Sequence, residues 1–108
     1  MHELSLAAAV VDACVEQAAG ARVLRVWLDV GELAAVLPDA LRFAFEVCAA
    51  GTSAEGAGLE IREIPGRAVC HDCGRTTALS APYGICECGG YLRIVEGKEL
   101  RIKEMEIV

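Results

Sequence analysis

The chain has 108 residues, 55% of them hydrophobic but only 5% aromatic, with 10 basic against 16 acidic side chains and a net charge of −6. That length suits one small domain, or one domain with a small appendage, and excludes an enzyme with separate cofactor and substrate domains. Much of the apolar content is alanine and valine, so the core is thin and calls for a staple such as a metal or a partner, while the acidic balance argues against a general nucleic-acid binder.

Leu4–Val11 is an apolar run at the start of the chain. Glu3 stands where a secretory signal needs positive charge, and Asp12 and Glu16 interrupt the apolar region. No stretch approaches the ~18 apolar residues of a membrane-spanning helix. The expected compartment is the cytoplasm, without membrane association, where clustered cysteines favour metal over disulfide.

Residues 4–19 read as a helix, with Leu4, Ala8, Val11, Val15 and Ala18 as its apolar stripe and Gly20 as its stop. From Arg22 to Val30 the period becomes two: Leu24, Val26, Leu28 and Val30 point one way, Val23, Arg25, Trp27 and Asp29 the other. Pro38 suits the first turn of a second helix whose stripe is Leu37, Leu41, Ala44, Phe45 and Cys48. Gly51–Gly58 is a loop, Leu59–Ile64 a short strand ended by Pro65-Gly66, and Glu99–Val108 a last strand. Its apolar phase slips between Ile102 and Met105, which a bulge near Lys103–Glu104 would reconcile. Between the last two strands lies an insert, Arg67–Gly97, expected to be irregular; its three basic and three acidic residues cancel. Cys14 and Cys48 read as small hydrophobes on or beside the helices' apolar faces.

The insert contains Cys70-His71-Asp72-Cys73-Gly74 and, after a loop, Cys86-Glu87-Cys88-Gly89-Gly90. Two close pairs so separated can close around a tetrahedral zinc with four thiolates, leaving no open position, so the site is structural. The second pair is C-x-C, one residue short of the usual C-x-x-C. A redox dithiol at Cys70/Cys73 is the competing reading.

The chain begins Met1-His2-Glu3. The α-amine, the His2 amide and the imidazole can fill three corners of a square plane, an arrangement suited to Ni(II) or Cu(II). The bulky His2 is expected to keep Met1 attached. Glu3 either adds a carboxylate or complements the positive end of the first helix, the second reading being preferred. No paired-carboxylate, Ser/His/Asp or phosphate-loop arrangement is present, so no catalysis is expected.

Met1-His2-Glu3-Leu4-Ser5, Trp27-Leu28-Asp29-Val30-Gly31-Glu32-Leu33, Phe43-Ala44-Phe45-Glu46, the two cysteine pairs and Gly97-Lys98-Glu99-Leu100 stand in that order. Together they resemble, over essentially the full length, the HypA/HybF family of hydrogenase maturation nickel metallochaperones. The resemblance implies an α+β fold: two helices packed on a small three-stranded sheet, with an inserted zinc-ribbon-like domain. The expected division is a nickel-binding domain, 1–66 plus 98–108, and a zinc domain, 67–97. His2 matches the family's nickel-binding histidine, Met1 supplies its amine, Glu3 matches an acidic neighbour, and Cys70, Cys73, Cys86 and Cys88 match the zinc ligands. Implied partners are a HypB-type GTPase and the large subunit of [NiFe]-hydrogenase, with urease accessory proteins in some members. A homodimer through the last strand stays open. The alternatives are a zinc-ribbon interaction adaptor without nickel delivery and a thiol oxidoreductase.

Overall fold

The computed structural model describes residues 2–108. In chain order come helix α1 (His2–Ala18), strand β1 (Val23–Gly31), a 3-10 turn (Glu32–Ala34), helix α2 (Pro38–Ala49), and strands β2 (Gly58–Ile64), β3 (Gly66–Cys70), β4 (Thr76–Leu79), β5 (Leu92–Glu96) and β6 (Leu100–Ile107). The strands form two three-stranded sheets, β2-β1-β6 and β4-β3-β5. The fold is mixed α+β, as expected. The chain divides into two compact units: the first runs to Leu28, resumes over Val36–Arg62 and closes with Arg101–Val108, and the second comprises Asp29–Ala35 and Glu63–Leu100.

In the first unit α1 and α2 pack against each other. The buried face of α1 is Ala7, Val10, Val11, Cys14 and Ala18. The helical period was legible, but the face is rotated: Leu4 is exposed and Ala8 and Val15 are half-buried. Three consecutive alanines, 7 to 9, offer the same apolarity on every side, so packing against the partner helix decides which one is covered. α2 buries Leu41, Ala44, Phe45 and Ala49 and leaves Leu37, Phe43 and Val47 outside. Both Cys14 and Cys48 lie along this packing, the first buried and the second half-buried.

β1 buries Val26, Leu28 and Val30 as its alternation requires, but Val23 rather than Leu24 turns inward at its start. There the Val23 N–H donates to the Ser53 carbonyl in the loop before β2, at 2.9 Å. Asp29, expected on the outer face, is buried. β6 lies antiparallel to β1: Arg22 and Val108 exchange backbone hydrogen bonds at 3.1 and 3.0 Å, and the Gly31 N–H donates to the Glu99 carbonyl at 2.7 Å. Nine residue steps separate the bonded residues on each strand, an odd number, so the side that each turns to its neighbour changes once between them, as the phase slip expected near Lys103–Glu104 requires. On this edge strand Ile102 and Met105 are both half-buried, with Lys103 and Glu104 exposed between them.

The second unit corrects the expectation of an irregular insert. β3 is the central strand of its sheet, antiparallel to β4 from Gly66↔Leu79 to Val69↔Thr76 and to β5 from Arg67↔Glu96 to Cys70↔Leu92. Strands of four and five residues, one carrying Thr76-Thr77, have too little apolar alternation to announce themselves. Within this unit the chain crosses itself closely at Gly31 and Gly97: a Cβ on Gly31 would lie 2.0 Å from the Gly97 carbonyl oxygen. The Leu33 N–H donates to that oxygen at 2.7 Å. Only glycine admits this approach. Among the described residues no helix is long and apolar enough to cross a membrane.

Candidate metal centre

The β3–β5 pairing builds the cysteine site. β3 ends at Cys70, whose register partner is Leu92, and one step on the His71 N–H donates to the Tyr91 carbonyl at 2.8 Å. The turn that follows Cys70 therefore lies beside the turn that precedes β5. Ile85 pairs with Tyr91 across that second turn.

The two turns are built alike, one residue apart in length. In the first, the Cys70 N–H reaches the Arg75 carbonyl and the Gly74 N–H returns to the Cys70 carbonyl, at 2.9 and 3.1 Å. In the second, the Cys86 N–H reaches the Gly90 carbonyl and the Gly89 N–H returns to the Cys86 carbonyl, at 3.0 and 2.8 Å. Each bond of the second turn closes over one residue fewer. The missing residue of Cys86-x-Cys88 is thus absorbed as a tighter turn, and both sulfurs still face the first pair.

The four sulfurs lie within 4.8 Å of one another, with Cys70 and Cys86 buried and Cys73 and Cys88 exposed. Across the turns Cys70 Sγ is 3.5 Å from Cys88 Sγ, and Cys73 Sγ is 3.7 Å from Cys86 Sγ. A tetrahedron with Zn–S bonds of about 2.3 Å has sulfur–sulfur edges of roughly 3.8 Å. The donor set therefore fits a tetrahedral thiolate-bound ion, and its four members leave no position for water. Among the described residues this is the one group of His, Cys, Asp or Glu ligand atoms that converges.

Backbone amides prepare the sulfurs for charge. The Cys73 N–H, 3.4 Å from Cys70 Sγ, leads the groups that bring the Cys70 thiol down to about 6. The Gly90 N–H acts the same way on Cys88, but the neighbouring sulfurs of Cys70, Cys86 and Cys73 prevail and push that thiol up to about 12. One sulfur ionises readily and the next then resists, so the full thiolate set needs a cation in its midst. Gly90 also sets the spacing of the turns: a Cβ there would stand 2.9 Å from Cys70 Sγ and 2.6 Å from an Asp72 carboxylate oxygen. An Arg75–Glu87 ion pair, 3.1 Å, links the two turns on their exposed side. The glycines after each pair were legible in the sequence; the Asp72–Gly90 contact was not, because it depends on the sheet register. His71 is exposed and 3.4 Å from an Asp72 oxygen.

Of the other expected metal residues, His2 and Glu3 lie in the first unit. Met1 is outside the described residues. His2 is exposed in the first turn of α1. Glu3 turns to the second helix: its Oε2 accepts the Leu37 N–H at 3.3 Å. This hydrogen bond is the main cause that holds the Glu3 carboxyl below its ordinary value.

The model of one protein family matches residues 1–107 of the chain, a family described as "Hydrogenase/urease nickel incorporation, metallochaperone, hypA". The chain belongs to the HypA family. A hydrogenase maturation factor HypA from Nostoc sp. is 50% identical over 108 residues, covering 99% of this chain and 96% of that protein. One from Geobacter metallireducens is 45% identical over 109 residues, with 99% of each covered. Among solved structures, the Ni metallochaperone HypA from Helicobacter pylori is similar at a TM-score of 0.72 and 26% identity, covering 98% of this chain and 97% of that one. A second solution structure of a HypA protein gives 0.73 at 28% identity, over 100% and 97%.

Proposed function

We propose that the chain is a nickel carrier of the cytoplasm, without catalytic activity, that takes up Ni(II) at its amino terminus and delivers it for maturation of [NiFe]-hydrogenase. The match to the HypA family over residues 1–107 carries this reading. The nickel site comprises Met1 and His2, which supply the ligand nitrogens, with Glu3 beside them. His2 supports it by being exposed on the first turn of a helix. Backbone N–H groups there have no intrahelical acceptor, so the His2 amide can give up its proton to a metal without breaking a helical bond. Amine, deprotonated amide and imidazole then form three corners of a square plane suited to Ni(II). Such a site is open on one side, which lets an acceptor's ligands replace it stepwise. Protons compete for each of these nitrogens, so capture weakens as pH falls. Copper outranks nickel in intrinsic affinity, and selectivity therefore rests on supply and partner.

Zinc at Cys70, Cys73, Cys86 and Cys88 is the resident ion in this account and serves structure only. We divide the chain accordingly into a nickel-binding domain, 1–66 plus 98–108, and a zinc domain, 67–97. The partners are a HypB-type GTPase and the hydrogenase large subunit, with urease accessory proteins where the host makes urease.

In a host whose own family member has been deleted, the native chain should restore hydrogenase activity and His2→Ala should leave it at background. Full restoration by His2→Ala would overturn the proposal.

A further inference from the structure

We infer that Glu3 is a positioning residue of the nickel site and not a ligand: its carboxylate, engaged by the Leu37 N–H, fixes the first turn of α1 so that the His2 amide and imidazole are presented in place. This rests on the reading of His2 as a nickel ligand.

Leu37 is the N-cap residue of α2, has extended backbone, and its apolar side chain makes no capping hydrogen bond to the helix. Pro38 behind it has no N–H to offer. Glu3, from the other helix, accepts the N–H of this N-cap residue itself, with Oε2 3.3 Å from the Leu37 nitrogen, at the end of α2 where the helix dipole favours an anion. Leu37 is itself held, because its carbonyl accepts the Leu41 N–H at 2.9 Å. A second, weaker tether follows at once: the Cys48 thiol faces the Leu4 carbonyl at 3.9 Å. Residues 3 and 4 are thus both tied to α2, and the tie begins one residue after His2. An exposed chain end that must be ordered for binding loses affinity to that ordering. An anchor beside the ligand removes part of the loss beforehand. A carboxylate turned toward Leu37 also cannot serve the metal without giving up that bond.

Nickel titrations of the zinc-loaded full chain, with its native amino terminus, separate the roles, read as affinity and as the visible absorption of bound Ni(II). Glu3→Gln keeps an oxygen that accepts the Leu37 N–H and should match the parent in both readouts. Glu3→Ala should weaken binding about fivefold, the worth of one net hydrogen bond, with the spectrum unchanged. Leu37→Pro removes the N–H while leaving Glu3 intact, on a backbone already at φ −87 and ψ 116, which proline and a following proline accept. It should weaken binding as Glu3→Ala does, and the double variant should add nothing further. Equal loss in Glu3→Gln and Glu3→Ala with a shifted spectrum would make Glu3 a ligand and overturn the inference. Parent-like affinity in Leu37→Pro would overturn it as well. His2→Ala marks the deeper failure: if it still binds nickel as the parent does, the site itself is wrong.

Discussion

Single residues decide how each centre is held. Glu3 and Leu37 make a pH-dependent contact whose direction is fixed. The Leu37 N–H holds the Glu3 carboxyl below its ordinary 4.5, so the contribution is complete above that value and lost as pH falls through the lowered one. In an acid titration followed by NMR, the Leu37 amide resonance should therefore move with a midpoint below 4.5. A midpoint at or above it would mean that the carboxylate is not engaged there. At the cysteine cluster the sensitive position is Gly90. The exposed Asp72 carboxylate can swing away from a new methyl group, but Cys70 Sγ, 2.9 Å from the ideal Cβ, sits at the end of β3 and cannot. Crowding of this kind typically costs about 1–3 kcal/mol. Gly90→Ala should accordingly lower zinc affinity by about tenfold or more, measured by competition with a chromophoric chelator, and an unchanged affinity would contradict the close approach. Gly90 could be noted in the sequence as a glycine after a cysteine pair. That it faces Cys70 and Asp72 could not, because those neighbours are brought in by β3–β5 pairing.

Elements differ in how plainly they were written. The two helices, the first two strands and the last strand were legible because period and punctuation agree: Gly20, Pro38, Gly51 and Pro65-Gly66 bracket runs of clear periodicity. The orientation of α1 was less so, since an alanine-rich helix has no strongly preferred side and its covered face is chosen by α2. Phe45 and Phe43 give the sharpest contrast on α2, one 2% and the other 69% exposed. Truncating Phe45 to alanine should cost about 3–5 kcal/mol, whereas Phe43→Ala should stay within about 0.5 kcal/mol. Denaturant unfolding distinguishes them, and equal losses would contradict the placement of α2. The short C-x-C pair was visible at once, but its consequence was not. Whether a missing residue opens the site or tightens a turn depends on backbone hydrogen bonds, here the Cys86–Gly90 and Gly89–Cys86 pair.

At the scale of the whole chain, the two units rest on different sources of stability. The first has a core of helix and strand side chains, with Phe45, Leu28, Leu41, Val11, Val23 and Val26 almost wholly buried. The second buries few large side chains: Val30, Leu33, Ile64 and Ala68 beside two of the cysteines. An ion bound at the thiolates would then contribute much of that unit's folding free energy. Removing it with a strong chelator at neutral pH should abolish hydrogen-exchange protection in β3, β4 and β5 while α1 and α2 stay protected. Loss of protection in both units together would show that the metal supports the entire fold. The proposed nickel site rests in the sequence only on the residues Met1, His2 and Glu3 and on the resemblance of the whole chain to a family. Nothing in composition or periodicity points to nickel, because the ligands proposed for it include a chain terminus and a backbone amide, groups that every protein possesses.

That terminus is also where the account is most directly tested. Nickel is titrated calorimetrically into the zinc-loaded chain with its native start and into the same chain acetylated at the Met1 amine. The native chain should bind one Ni(II) at its amino terminus, and the acetylated chain, whose terminal nitrogen has no lone pair free for a metal, should lose that binding. Equal affinity in the two would contradict the nickel site.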